Sequence, residues 1–389
     1  MLRLERFATR KHGSMSFDVP FIKPVFPASG VIARDFDAIV ESNWYTNFGP
    51  MERRFSAEIA STIGPDYRAV TFANATVGLL ALVHSALGRG DGTEFVIVPS
   101  FTFAAGPEAV LWAGYRPLLI DIDPESLQPL LAAAREAFSS GEFAIAGILL
   151  CNTFGIGNAE VESWESLAAE TGVPLLIDSA AGFGSEYSDG APVGSRGLAE
   201  VFSFHATKPF AIGEGGAVVT RDNDLADRLA AFQNFGFRDR LGAADIGLNG
   251  KLQEINAAIG LRQLEAFDGA VASRRDVVEE YRRALAGTSV YFPHNIERSS
   301  VCFASVLFDD SDSRERARLA LTAAGVEVRT YYSPVVHDQP FLQDAARIGA
   351  LPITDSVSKR ILSLPVHQSM NPEHIERVVS AILSSERSK

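Results

Sequence analysis

"VFSFHATKPFAIGEGGAVVT", residues 201–220, places one lysine, Lys208, between a run bearing a hydroxyl and a histidine and a loop that holds Gly213, Gly215 and Gly216. The stretch closes on "GGAVVT", a short apolar run of the kind that forms a strand buried on both faces. A structural lysine ordinarily projects to solvent from a charged helix, but this one has no charged neighbour until Glu214. Its purpose depends on what the rest of the fold brings beside it.

Working outward, "EFVIVPS" (94–100), "RPLLIDID" (116–123), "FAIAGILLCN" (143–152) and "VPLLIDSA" (173–180) have the same strand character. Between them "GPEAVLWAG", "LQPLLAAAREAFSS" and "VESWESLAAETG" have helical spacing. Repeated strand, helix, strand means an α/β fold with a mostly parallel central sheet and helices on both faces. In such sheets ligands bind outside the carboxyl ends of the strands. From about Ala272 a charged amphipathic helix, "ASRRDVVEEYRRALAG", leads into "VCFASVLFDD", "SRERARLALTAAGVEVRTYYSP" and "NPEHIERVVSAILSSERS", the pattern of a smaller α+β domain. The expected division is a flexible leader over 1–16, a large domain over 17–268 and a small C-terminal domain over 269–389.

A chain of 389 residues is long enough to bury a sizeable core. Its 48 acidic against 35 basic residues give a net charge of −13, with no basic block in the body, which argues against nucleic acid as a partner. Cys151 and Cys302 lie far apart without the spacing of a zinc site or a disulfide framework, so no metal is expected and a reducing cytoplasm fits. No run of eighteen apolar residues suggests a membrane span.

The loops that follow the apolar runs carry the chemistry. After "AVTF" comes "ANATVGLLALVHSAL", which would turn free backbone N–H groups and the Thr76 hydroxyl toward an anion at a helix N-terminus. A plain N-cap by Asn74 or Thr76 is the alternative. After "VIVPS", Phe101 and Phe103 can offer a ring to a planar ligand. After "VPLLI", Asp178 sits at the tip of an apolar strand, where an ionised carboxylate needs a partner unless it serves as a helix cap. Phosphate cup, aromatic plate, carboxylate and lysine together are the set that pyridoxal 5′-phosphate requires.

"SFHATK" with "GEGGAVVT", "VPSFTF", "WAGYRPLLIDID" and "GLNGKLQEINAAIGLRQL" resemble the signatures of the DegT/DnrJ/EryC1/StrS aminotransferases, fold-type-I pyridoxal-phosphate enzymes that aminate keto-sugars. The resemblance runs from about Pro20 to the last helix. It implies that Lys208 carries the cofactor as a Schiff base and that Asp178 partners the pyridinium nitrogen. It further implies that Ser203, Ala75, Thr76 and Val77 contact the phosphate and that Phe103 stacks on the ring. Asn249 matches an asparagine that reaches the phosphate of the neighbouring subunit, so a homodimer with shared sites is expected. Two departures stand out: Ala181 occupies the place of a histidine or glutamine, and Asn249-Gly250-Lys251 replaces the commoner Asn-Tyr-Arg.

The resemblance further implies amino transfer from an amino acid, glutamate, to a keto-sugar, nucleotide-linked and of the 4-keto-6-deoxy type. A 3-keto sugar or keto-inositol is the alternative substrate, and a catalytically silent binding paralogue the alternative class. Thr46, in a Gly-Pro-terminated loop, and Tyr331, Tyr332 and His337, in "YYSPVVHDQPF", correspond to substrate-side segments; a plain turn and a structural histidine are the competing readings. The apolar face of Leu252, Ile255, Ile259 and Leu261 suits a subunit interface or internal burial.

Overall fold

The computed structural model describes residues 17–239 and 242–387. The expected leader, 1–16, lies outside them. Seven strands of the main sheet follow in chain order: β1 (Arg68–Phe72), β2 (Phe95–Pro99), β3 (Arg116–Ile120), β4 (Ile145–Cys151), β5 (Leu175–Asp178), β6 (Ala199–Ser203) and β7 (Gly216–Thr220). A two-strand arm, β8 (Phe237–Asp239) and β9 (Gly242–Ala243), stands apart from it. Later in the chain come β10 (Ala304–Leu307), β11 (Ala346–Arg347) and β12 (Ile361–Leu364).

The main sheet has the order β1-β7-β6-β5-β4-β2-β3-β11, and β7 alone runs against the others. That reversal has a local cause. The link from Ser203 to Gly216 contains no helix and folds back on itself, with Phe204 N–H on Gly215 O (2.9 Å) and Ala206 N–H on Gly213 O (2.9 Å). Parallel neighbours need a longer crossover.

Two helical layers sandwich the sheet, and strand residues alternate between them. Phe95 and Ile97 of β2 face one core and Val96 and Val98 the other. On the first face lie α2 (Pro50–Ile63), α5 (Leu131–Ser140), α6 (Val161–Thr171) and α8 (Glu254–Leu264), contributing Ile59, Ala137, Trp164 and Leu261. On the second lie α3 (Ala75–Leu87), α4 (Ala105–Trp112) and α7 (Asn223–Phe232), contributing Leu82, Val110 and Leu229. The first helix, α1 (Ser29–Ser42), is held to α8 by a two-bond fork from Arg262 to Asp35. The apolar face of α8 is used largely within the chain: Leu252 and Leu261 are buried, and Ile255 and Ile259 half-buried.

A second, smaller body packs α9 (Phe267–Ala284), α10 (Ser311–Ala323) and α12 (Pro372–Glu386) with the antiparallel pair β10 and β12 around Tyr281, Val306, Leu321 and Ile382. A further helix, α11 (Pro352–Arg360), precedes β12. The expected boundary at 268/269 is crossed in both directions. Val19 bridges Val326 of the small body, and β11 adds to the main sheet beside β3. Pairing over such sequence distances has no local signature. Among the described residues no helix is long and apolar enough to cross a membrane.

Candidate active site

The carboxyl ends of the parallel strands converge, and they bring the expected groups to one edge. At the end of β1, Ala73 N–H is held by Gly250 O (2.7 Å), and Asn74 then caps α3, its Oδ1 accepting Val77 N–H (3.0 Å). The capping alternative is thus realised, by Asn74. It occupies the Val77 N–H, which was expected to face a phosphate. The N–H groups of Ala75 and Thr76 have no protein acceptor among the described residues and remain directed out of the helix N-terminus.

Beside this turn the register sets Phe72, Gly216 and Ser203 abreast on β1, β7 and β6. A side chain at Gly216 would close the space, since its Cβ would lie 2.7 Å from Ala75 N. The bare glycine leaves a cradle between Ser203 and the start of α3. With two free N–H groups and the helix dipole directed into it, that cradle suits a phosphate.

Asp178 ends β5, opposite Cys151 on β4 and Val201 on β6. Its side chain is 6% exposed, and its Oδ1 accepts Ala180 N–H (3.0 Å). No cation pairs with it among the described residues. Burial therefore holds its carboxyl above the ordinary carboxylate range, while the Ala180 N–H and the Lys208 charge pull the other way. A protonated ring nitrogen is the partner such a group lacks.

Lys208 stands in the reversal between β6 and β7, its N–H on His205 O (2.9 Å). Its charge also reaches the thiols of Cys151 and Cys302. Both thiols are pushed upward by burial, that of Cys151 to about 12. The Cys302 thiol donates to Thr207 O (3.4 Å), which ties the small body to the lysine's own turn. Phe103 is 60% exposed at the end of β2, an apolar ring left uncovered at the mouth of the site. The residues present fit pyridoxal phosphate: cradle, unpaired carboxylate, lysine and open ring lie along one sheet edge.

The substrate-side residues divide. Tyr331 packs against Phe303 (5.3 Å between centroids) and Phe21 (6.0 Å). Tyr332, its neighbour, lies closer to the chemistry. It stacks on Phe154 (5.4 Å, 23°), meets Phe101 edge-on (5.4 Å) and lies 6.5 Å from Phe103. Burial, with Cys151 and Asp178 nearby, drives its phenol well above the ordinary range. Two adjacent tyrosines in a loop carry no periodicity to tell which one packs nearer to Asp178. His337 is buried, with Nε2 2.9 Å from Asp355 Oδ1 of α11. That pairing docks the 336–338 turn on α11, while Nδ1 is buried with no partner among the described residues.

Thr46 is half-buried in a turn fixed by Trp44 Nε1–H on Asn47 O (3.2 Å) and by Tyr45 O, which accepts Glu254 N–H (3.1 Å). No contact joins it to the Asp178 and Lys208 cluster among the described residues. Asn249 is exposed and pairs through its backbone with Asn234, while the adjacent Gly250 grips Ala73 of the same chain's cradle. Ala181 leaves only a methyl at its position, and its carbonyl accepts the Ser300 hydroxyl (3.3 Å).

Comparison with known proteins bears on this geometry. The model of the DegT/DnrJ/EryC1/StrS aminotransferase family matches residues 30–383. A Mycobacterium tuberculosis relative known as Protein Rv3402c is 45% identical over 99% of this chain and 93% of its own length. The dTDP-4-amino-4,6-dideoxy-D-glucose transaminase of Escherichia coli is 27% identical over 94% of this chain and 98% of its own. Among solved structures, DesI in the presence of its TDP-sugar product superposes with a TM-score of 0.86 at 33% identity, covering 96% of this chain and 95% of the other.

Proposed function

The chain belongs to the DegT/DnrJ/EryC1/StrS family and is a pyridoxal-phosphate-dependent aminotransferase, and on that premise we propose that it moves an amino group from L-glutamate to a nucleotide-linked 4-keto-6-deoxy sugar. The observation that carries the site assignment is Asp178, a buried carboxylate with no ion-pair partner among the described residues, at the same strand edge as Lys208. Bound pyridoxal phosphate supplies the electron sink for amino transfer. Lys208 holds the cofactor and moves the proton at Nζ as general acid and base. Asp178 keeps the ring nitrogen protonated, Phe103 covers the ring, and Ser203 with the N–H groups of Ala75 and Thr76 takes the phosphate.

The deoxy-sugar class is supported by likeness to the dTDP-4-amino-4,6-dideoxy-D-glucose transaminase of Escherichia coli and to DesI in the presence of its TDP-sugar product.

Assembly as a homodimer with shared sites is part of the proposal. Phe235, Phe237, Ile246 and Leu248, which flank Asn249, are exposed in the single chain, as are Phe36, Val40, Trp44 and Tyr45. Apolar surface on this scale supports a partner subunit. Two free thiols, Cys151 and Cys302, fit residence in a reducing cytoplasm.

The test is cofactor uptake followed by a half-reaction. Purified protein should show the visible absorbance of a lysine-linked cofactor, and borohydride should fix the label on Lys208. The amino form of the enzyme should then regain that absorbance with nucleotide-linked 4-keto-6-deoxy sugars. A faster return with 3-keto sugars or keto-inositols would transfer the assignment to those substrates. Failure to take up cofactor would end the reading, in favour of a binding paralogue.

A further inference from the structure

Beneath the cradle, inside the first helical face of the sheet, lies a second polar cluster centred on Glu200. It sits on β6 between Ile177 of β5 and Val219 of β7 and is fully buried. Among the described residues no cation pairs with it: the Arg196 guanidinium turns outward to Glu162, Glu165 and Asp189. Neutral donors surround it instead. One carboxylate oxygen accepts the Tyr187 hydroxyl (3.0 Å) and Arg196 N–H (2.9 Å), and the other accepts the Ser179 hydroxyl and, at 3.5 Å, the Asn152 amide.

These donors sit on the turns that build the active site. Ser179 directly follows Asp178, and its own N–H is held by Val201 O (3.0 Å). Asn152 follows β4, donates its backbone N–H to Asp178 O (3.0 Å) and its side-chain amide to Ser179 Oγ (2.9 Å). Two residues beyond Asn152 is Phe154, which stacks on Tyr332. A role confined to bracing the 185–196 loop accounts for the bonds from Tyr187 and Arg196. It does not account for the bonds to Ser179 and Asn152.

A buried acid without a cation is costly, and apolar replacement of buried charge is often neutral or stabilising. Here burial pushes the Glu200 carboxyl up to about 7. A network that expensive, placed under three strand ends, calls for a function that stability alone does not supply. We propose that Glu200 is a positioning residue for Asp178: through Ser179 and Asn152 it fixes the turn after β5 and so the direction in which the Asp178 carboxylate meets the cofactor's ring nitrogen. Ion-pair and hydrogen-bond geometry at a reacting centre tolerates little displacement, so a loosened turn weakens the pair without removing either partner. The inference rests on the assignment of Asp178 as the ring-nitrogen partner.

The experiment compares Ser179→Ala, Glu200→Gln and Tyr187→Phe with the parent and with Asp178→Ala. The readouts are the dissociation constant for pyridoxal phosphate, the pH titration of the bound cofactor's visible absorbance, and the melting temperature of the cofactor-free protein. Ser179→Ala and Glu200→Gln should each weaken cofactor binding about tenfold, the scale on which outer partners of a bound centre act, and shift the absorbance titration. Tyr187→Phe removes the bond to Glu200 and the one accepted from the Asn152 amide (2.9 Å) but leaves Ser179 in place; it should lower the melting temperature and weaken affinity less than Ser179→Ala. Unchanged affinity and spectrum in Ser179→Ala, the milder variant, overturn the inference while leaving the site assignment standing, even where Glu200→Gln fails to fold. A parent that binds no cofactor, or an Asp178→Ala that binds it as well as the parent, overturns the assignment and the inference together.

Discussion

Substituting Gly216 by alanine probes the phosphate cradle at its narrowest point. The added methyl would lie 2.7 Å from Ala75 N, 2.8 Å from Phe202 O and 2.9 Å from Ala75 Cα. Ordinary contact begins near roughly 3.5 Å, and every one of these neighbours is backbone, which has no rotamer to change. The start of β7 must therefore move away from the N-terminus of α3. Overpacking of this kind costs about 1–3 kcal/mol of stability. The same methyl covers the Ala75 N–H, one of the two donors left open at the helix end. Loss of one hydrogen bond to a charged group removes about 1.5–3 kcal/mol, or about tenfold to 150-fold in affinity. Equilibrium binding of pyridoxal phosphate to the cofactor-free protein measures this directly, with pyridoxal as the control that lacks the phosphate. The expected result is a large loss for the phosphate ester and little change for pyridoxal. Equal loss for both ligands, or none for either, would refute the cradle.

Three further outcomes follow from the same structure. Because burial raises the Glu200 carboxyl from 4.5 to about 7, the folded state favours its protonated form; its contribution is complete below about pH 4.5 and is lost as pH rises through about 7. Urea titrations of the cofactor-free parent and Glu200→Gln should therefore differ in slope over that window by about 3 kcal/mol in total, the parent losing stability as pH rises. Trp164→Ala empties a fully buried site in the core beneath the sheet and should cost about 3–5 kcal/mol in the same assay. Mixing Lys208→Ala with Asn249→Ala subunits, each impaired alone, should restore about one quarter of parental activity after random exchange if each site draws on both subunits; no recovery would assign Asn249 to the cradle of its own chain, toward which Gly250 already points.

Much of this molecule was legible in one dimension. Continuous apolar runs such as "FVIVP" and "LLID" mark strands buried on both faces, and the amphipathic segments between them fix a mostly parallel sheet. Once that sheet is granted, Lys208, Asp178, Phe103 and the cradle residues fall at strand ends and so at one edge. That inference needs only local pattern and the geometry of parallel sheets. Other features depended on contacts between segments far apart in the chain. The cap that takes Val77 N–H, the stacking of Tyr332 on Phe154 and the pairing of His337 with Asp355 are each settled by which neighbour lies within a few ångströms. Glu200 is the clearest case. In sequence it is one acid in an apolar strand, and only folding brings Asn152, Ser179 and Tyr187, from three separate segments, around its carboxylate. Strand periodicity and helix spacing arise from the backbone and are written locally, so the sequence determined the layers and the edge where chemistry gathers. Side-chain partnership arises from three-dimensional packing, so tertiary structure alone decided which of the gathered groups face one another.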